Sequence, residues 1–210
     1  MSQTDIDTSR RSFFSSLIRE TTDFALRVAD AQVIEQETNW MRPPFALDES
    51  QFLMACTRCG ACRGACPHGT IIILSDRRGL KVAGTPVLDL LNKACHLCAD
   101  WRCVAACEPG ALKLPPHEEG RPPPLPRLAD VRIHTQTCLP YSGPECGACA
   151  SICPVPGALV WKQNKPSIDK QHCTGCGLCR EACIVEPKAV QVRSQHKVAA
   201  EKQSLIEVGG

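Results

Sequence analysis

Cys56-Thr57-Arg58-Cys59-Gly60-Ala61-Cys62-Arg63-Gly64-Ala65-Cys66-Pro67 sets three thiols two residues apart on a loop of small side chains, with a fourth after three more residues. The same C-x2-C-x2-C-x3-C spacing returns at Cys173-Cys176-Cys179-Cys183. Between them, Cys95-Cys98-Cys103-Cys107 widens its middle gap to four residues and Cys138-Cys146-Cys149-Cys153 its first gap to seven. These four runs use all 16 cysteines of the chain. Three closely spaced thiolates can wrap three irons of one cubane cluster, while the fourth opens a helical turn and points away. Gly60, Gly147, Gly175 and Gly177 keep the loops slim enough for backbone N–H groups to approach sulfur. Zinc sites built from paired C-x2-C elements lack the third cysteine two residues on. The spacing therefore predicts four [4Fe–4S] clusters, with every cysteine a ligand.

The rest of the composition agrees. Only nine of 210 residues are Phe, Tyr or Trp, and five of them precede Ser50. Residues 51–196 keep Phe52, Trp101, Tyr141 and Trp161, too few large side chains for a core of the usual kind, so the clusters are expected to fill the interior. The formal net charge is +2 with no basic block, which disfavours nucleic acid. No apolar run is long enough to cross a bilayer, so stable membrane insertion is not expected. A hydrophobic content of 43% excludes collagen-like and wholly disordered chains.

Ser9-Arg10-Arg11-Ser12-Phe13-Phe14 looks like a twin-arginine export motif. Arg19, Glu20, Asp23, Arg27 and Asp30 interrupt the apolar stretch that export would need. Phe14, Leu17, Ile18, Phe24, Ala25 and Val28 recur instead at helical spacing, which predicts an N-terminal amphipathic helix and a cytoplasmic location. In a reducing compartment structural disulfides are rare, which again favours metal ligation.

The expected fold is α+β, with tandem bacterial-ferredoxin-like 2[4Fe–4S] units behind that helix. Residues 1–50 form the helix and an extended lead-in, 51–114 the first unit, 129–193 the second and 194–210 a flexible tail. Six prolines among residues 115–126 place a semi-rigid linker at 115–128. Ala158-Leu159-Val160-Trp161, a turn around Asn164-Lys165-Pro166 and Ser167-Ile168-Asp169 read as a hairpin, and Lys188-Ala189-Val190-Gln191-Val192 as a further strand. Ile71-Ile72-Ile73-Leu74, a Gly79/Gly84 turn region and Pro86-Val87-Leu88-Asp89 are their looser counterparts in the first half.

In two-cluster bacterial ferredoxins the fourth cysteine ligates the other cluster, and proline commonly follows it. Pro67 and Pro154 hold that place, while Cys107 precedes Glu108-Pro109 and Cys183 precedes Ile184. Sequential pairing of motifs gives Cys56, Cys59, Cys62 and Cys107 for cluster 1, and Cys95, Cys98, Cys103 and Cys66 for cluster 2. Cluster 3 then takes Cys138, Cys146, Cys149 and Cys183, and cluster 4 takes Cys173, Cys176, Cys179 and Cys153. Nested pairing, motif one with four and two with three, is the alternative.

Arg42-Pro43-Pro44-Phe45, then Asp48-Glu49-Ser50 and Phe52 leading into Cys56, resembles the NapF-type ferredoxin-like proteins of periplasmic nitrate reductase systems. The long first gap of motif three, Cys138-Leu139-Pro140-Tyr141 through Glu145-Cys146, is similar to theirs, as is the early Ser-Arg-Arg. The resemblance covers roughly residues 9–192, and the widened gap around Trp101 departs from it. It implies a cytoplasmic four-cluster protein that meets the catalytic subunit of a nitrate reductase-type molybdoenzyme before export and assists its maturation or supplies electrons. A general electron carrier, or the iron–sulfur subunit of a redox complex, is the alternative. A static scaffold held together by its clusters is the third reading. No catalytic residue is expected: His68, His96, His117, His134, His172 and His196 are scattered, and no nucleophile or phosphate-loop motif occurs. Arg58, Arg63 and Arg102, inside the ligand loops, read as solvated surface charge.

Overall fold

The computed structural model describes residues 40–118 and 120–195. The predicted N-terminal helix and most of the predicted tail, including His196, lie outside the described residues.

The lead-in is pinned by Arg42. Its side chain is only 9% exposed, and its guanidinium donates from Nε and Nη2 to the two Glu49 carboxylate oxygens at 2.9 and 2.5 Å. Nη1 donates at 2.9 Å to both Thr85 Oγ1 and the Pro86 carbonyl. The same group lies 4.5 Å from the centroid of the Phe52 ring. Buried charge is tolerated only when its donors are met, and here one planar fork ties the Arg-Pro-Pro run to two distant segments. Glu49 opens helix α1 (Glu49–Ala55), which buries Phe52 completely and delivers Cys56 at its end.

Helix α2 (Ala61–Ala65) follows, then β1 (Ile71–Ile73), a 3-10 turn at Asp76–Arg78, β2 (Pro86–Leu88) and helix α3 (Arg102–Ala105). Strands β1 and β2 pair antiparallel, with Ile71 opposite Leu88 and Ile73 opposite Pro86. Strand alternation turns Ile71 inward and leaves Ile72 exposed. On its other side Leu88 donates its N–H to the Met41 carbonyl at 2.7 Å, so β2 is covered on both edges and buried throughout. An outer antiparallel contact joins the lead-in to the end of this half: Leu47 N–H donates to Ala111 O at 3.0 Å and Lys113 N–H to Phe45 O at 2.9 Å.

The second half repeats the plan more regularly. Its outer pair is β3 (Asp130–Ile133) with β6 (Val190–Arg193), and its inner hairpin is β4 (Leu159–Lys162) with β5 (Lys165–Ile168). Gln163 and Asn164 both have positive φ, 51° and 60°, as a two-residue type I′ turn requires. Helix α4 (Leu139–Ser142) lies within the third cysteine motif and helix α5 (Leu178–Glu181) within the fourth. First and last strand paired around an inner hairpin, with short helices carrying the cysteines, is a bacterial-ferredoxin-like arrangement.

One core runs through both halves. Leu88, Leu90 and Ala94 share it with Val131, Leu178, Val190 and Val192. The described part of the proline-rich stretch forms neither helix nor strand, and Leu128 and Ala129, just beyond it, are buried in the shared core. Proline there removes backbone donors that a strand would need.

Replacing Arg42 with Met would strand the Glu49 carboxylate and two acceptors. We expect a loss of roughly 2–3 kcal/mol, read as an earlier urea midpoint of the cluster-loaded protein; an unchanged midpoint would contradict the role given to Arg42.

Candidate metal centres

The third and fourth cysteines of a motif sit i and i+4, one helical turn apart, so both lie on one face at successive levels. Cys62 is on α2 and Cys66 closes it; Cys103 is on α3, with Cys107 N–H bonded back to Val104 O at 2.9 Å. Cys179 is on α5, with Cys183 N–H bonded to Arg180 O at 3.1 Å. The helical turn thus precedes the fourth cysteine, where the spacing alone predicted that it would follow. A turn that spans both thiols presents them to two separate places.

The thiols fall into four groups by mutual influence. Burial pushes Cys62 up to about 11, with Cys107, Cys56 and Cys59 adding to the effect. Burial raises Cys103 to about 12, helped by Cys95 and Cys66, and Cys98 is raised by burial, Asp100 and Cys66. Cys149 is raised by burial, then by Cys138, Cys146 and Cys183. Burial takes Cys179 to about 12, and Cys176, Cys173, Cys149 and Cys153 add to it. In each group three cysteines of one motif are joined by the fourth cysteine of its neighbour in sequence, and the last group also takes in Cys149. Two of the groups also line cavities: Cys66, Cys95, Cys98 and Cys103 one, and Cys138, Cys146, Cys149 and Cys183 another.

Metal binding requires thiolates, so these raised thiols must release protons on loading, which higher pH favours. The backbone is arranged to hold the negative form. Cys66 is half-buried, which raises its pKa, yet the net shift is downward because the N–H groups of Thr70, His68, Ile71 and Gly69 point at it. Leu112 N–H reaches the Cys107 sulfur at 3.3 Å. Trp161 lines the Cys138 cavity, and its indole N–H is buried with no partner among the described residues. The sulfurs of a cluster are acceptors that would meet it. Among the described residues no three Cys, His, Asp or Glu side chains converge as they would around a single ion.

The irregular gaps have structural reasons that spacing did not reveal. The extra residues of motif two carry Trp101, 5% exposed, with φ 43° and its ring edge-on to Phe45 at 4.7 Å. The long gap of motif three is α4, held by the Tyr141 hydroxyl donating to Pro166 O on β5 at 2.9 Å. Arg58 is not free surface charge: it donates to Ala83 O and Lys81 O, both at 2.9 Å, bracing the first loop. Arg102 pairs with Asp100 at 2.5 Å, both exposed. His68 and His96, apparently scattered, stack face to face at 3.6 Å beside the Cys66 cavity. Sequence separation hides that contact.

Known proteins supply the rest. A 4Fe-4S dicluster domain family matches residues 94–158. The chain is 35% identical over 167 residues to the methylamine utilization ferredoxin-type protein MauM of Paracoccus denitrificans, across 72% of this chain and 70% of that one. It is 31% identical over 202 residues to the ferredoxin-type protein NapG of Escherichia coli, across 87% and 84%. This chain belongs to the ferredoxin-type iron–sulfur proteins. It binds [4Fe–4S] clusters. NapF of Escherichia coli, at 32% over 165 residues and 76% and 89% of the chains, is one relative among several. The likeness therefore extends to the ferredoxin-type family as a whole, of which NapF is one member. The dicluster match joins motifs two and three across the proline stretch, whereas the thiol environments join one with two and three with four.

Gly175 is where the slim-loop requirement is strictest. Its φ is 78°, and a Cβ there would fall 2.2 Å from Ala129 O and 2.4 Å from Ala129 N. Gly147 differs, with nothing within 4 Å of an added Cβ. Gly175→Ala should lose cluster iron and Gly147→Ala should keep it, measured as iron per purified chain. Equal iron in the two variants would refute the distinction.

Proposed function

We propose that this ferredoxin-type chain carries four [4Fe–4S] clusters in two units, 51–114 and 129–193. Cys56, Cys59, Cys62 and Cys107 hold the first cluster, and Cys66, Cys95, Cys98 and Cys103 the second. Cys138, Cys146, Cys149 and Cys183 hold the third, and Cys153, Cys173, Cys176 and Cys179 the fourth. The observation that carries this reading is the grouping of thiols: Cys107 acts on Cys62, Cys66 on Cys103, Cys183 on Cys149 and Cys153 on Cys179. Clusters of this type supply reversible one-electron storage at a potential set by charge, hydrogen bonds and exposure. The chain's own part is to hold the sulfurs, aim N–H donors at them and exclude water.

The function is electron transfer, without a catalytic residue, in the cytoplasm. The client is the catalytic subunit of a nitrate reductase-type molybdoenzyme before its export, which the chain helps to mature or reduces. Likeness to NapG and NapF supports that client. No helix among the described residues is long and apolar enough to cross a membrane. A second reading, a carrier or iron–sulfur subunit serving another redox enzyme, is favoured by relatives named for methylamine utilization.

Two measurements test this. Anaerobically purified protein should contain about sixteen iron and sixteen acid-labile sulfide per chain; zinc in place of sulfide would refute the cluster count and type together. An anaerobic pull-down with the tagged chain should recover a molybdoenzyme that still carries its signal peptide. Recovery of a different redox enzyme alone would replace the first client with the second reading.

A further inference from the structure

We propose that electrons cross this protein in the order cluster 1, cluster 2, cluster 4, cluster 3, so that the motif order of the chain is not the order of the relay. The inference rests on the ligand sets proposed above and concerns the junction between the two halves.

Within each half, neighbouring clusters share a helical turn. Cys62 and Cys66 stand at two levels of α2, serving clusters 1 and 2. In the second half Cys179 and Cys183 stand one helical turn apart on and beside α5, serving clusters 4 and 3, and Cys149 of cluster 3 acts on Cys179. Across the halves the contact is made by the loop of motif four. Cys95 N–H donates directly to the Cys176 carbonyl at 2.8 Å, and these two residues are ligands of clusters 2 and 4.

The flanking contacts hold that junction in register. Ala94 N–H donates to the Glu181 carboxylate at 2.9 Å, and Arg180 Nε donates to Leu91 O at 3.1 Å. Arg180 Nη1 also donates to Val190 O at 2.7 Å, linking the same residue to β6. Gly177 packs with its Cα face against Leu90 and Ala94. Residues 91–95 of one half and 176–181 of the other therefore form a single bonded seam. Tunnelling falls steeply with distance and is helped by hydrogen-bonded bridges, so this seam is the crossing point.

Cys59, a ligand of the terminal cluster 1, is exposed, while Cys176 is 7% exposed at the seam. In this order clusters 1 and 3 are the ends of the relay and clusters 2 and 4 its middle. With clusters held at the two ligand sets, an electron crossing the Cys95–Cys176 seam would oxidise the cluster on one side and reduce the cluster on the other. No bond breaks and no proton moves; the reverse direction balances in the same way.

The test uses the full cluster-loaded chain, reduced with dithionite and read by EPR for magnetic coupling between reduced clusters. Cys146→Ala removes cluster 3, and Cys173→Ala removes cluster 4. In the first variant the signal of cluster 4 should stay broadened by cluster 2. In the second, the signal of cluster 3 should sharpen to that of an isolated cluster. The opposite pair of results, cluster 4 isolated and cluster 3 still coupled, would overturn the order. If alanine prevents folding, serine at the same positions keeps an oxygen ligand and marks its cluster by a changed signal, and the coupling partners are read from that signal. Iron analysis separates the two levels of the argument. Each alanine variant should lose about four iron; a different loss would overturn the ligand sets, and the relay with them.

Discussion

Cys62 and Cys179 are buried and Cys95 and Cys103 half-buried beside other sulfurs, and loss of water together with those neighbours holds each thiol in its protonated form. Sulfur in that situation gains nothing from ionising unless a strongly positive group arrives among the thiols. Iron is such a group, and the rest of the structure follows from making room for it. The aromatic content is low because clusters replace side chains as the filling of the two halves. The backbone then turns its N–H groups toward sulfur, as around Cys66, because thiolates need donors once water is excluded.

A second consequence comes from the helical turn between the third and fourth cysteines. One turn separates two thiols by a single level, so one short helix joins two tetrads without further chain. Repeated at α2, α3 and α5, this device would link clusters within each half in the ligand sets proposed above. Between the halves no such helix exists; the link is the backbone bond from Cys95 to Cys176, guarded by Glu181 and Arg180. The same interface closes a continuous apolar core shared by the two halves.

The Arg42 anchor belongs to this economy of small side chains. With little apolar mass in the first half, a buried guanidinium that satisfies Glu49, Thr85 and Pro86 and rests on Phe52 serves as the organising element at that end. Trp101 against Phe45 does similar work on the wall of the second tetrad. Both depend on residues far apart in sequence, and neither would be recognised from local pattern.

Cysteine spacing by itself determined the chemistry: thiols at x2, x2 and x3 can meet a cubane, and short strands with turn residues at Asn164 announced the hairpin beside it. Those signals are local, because loop geometry and strand alternation act over a few residues. The reason for each widened gap, the histidine stack, the bracing of Arg58 and the seam at Cys95 and Cys176 were decided only by tertiary structure. They are contacts between segments tens of residues apart, and which segments meet depends on the packing of the whole core. Spacing tells each motif what it can bind, while only the fold brings its fourth ligand and its neighbour into reach.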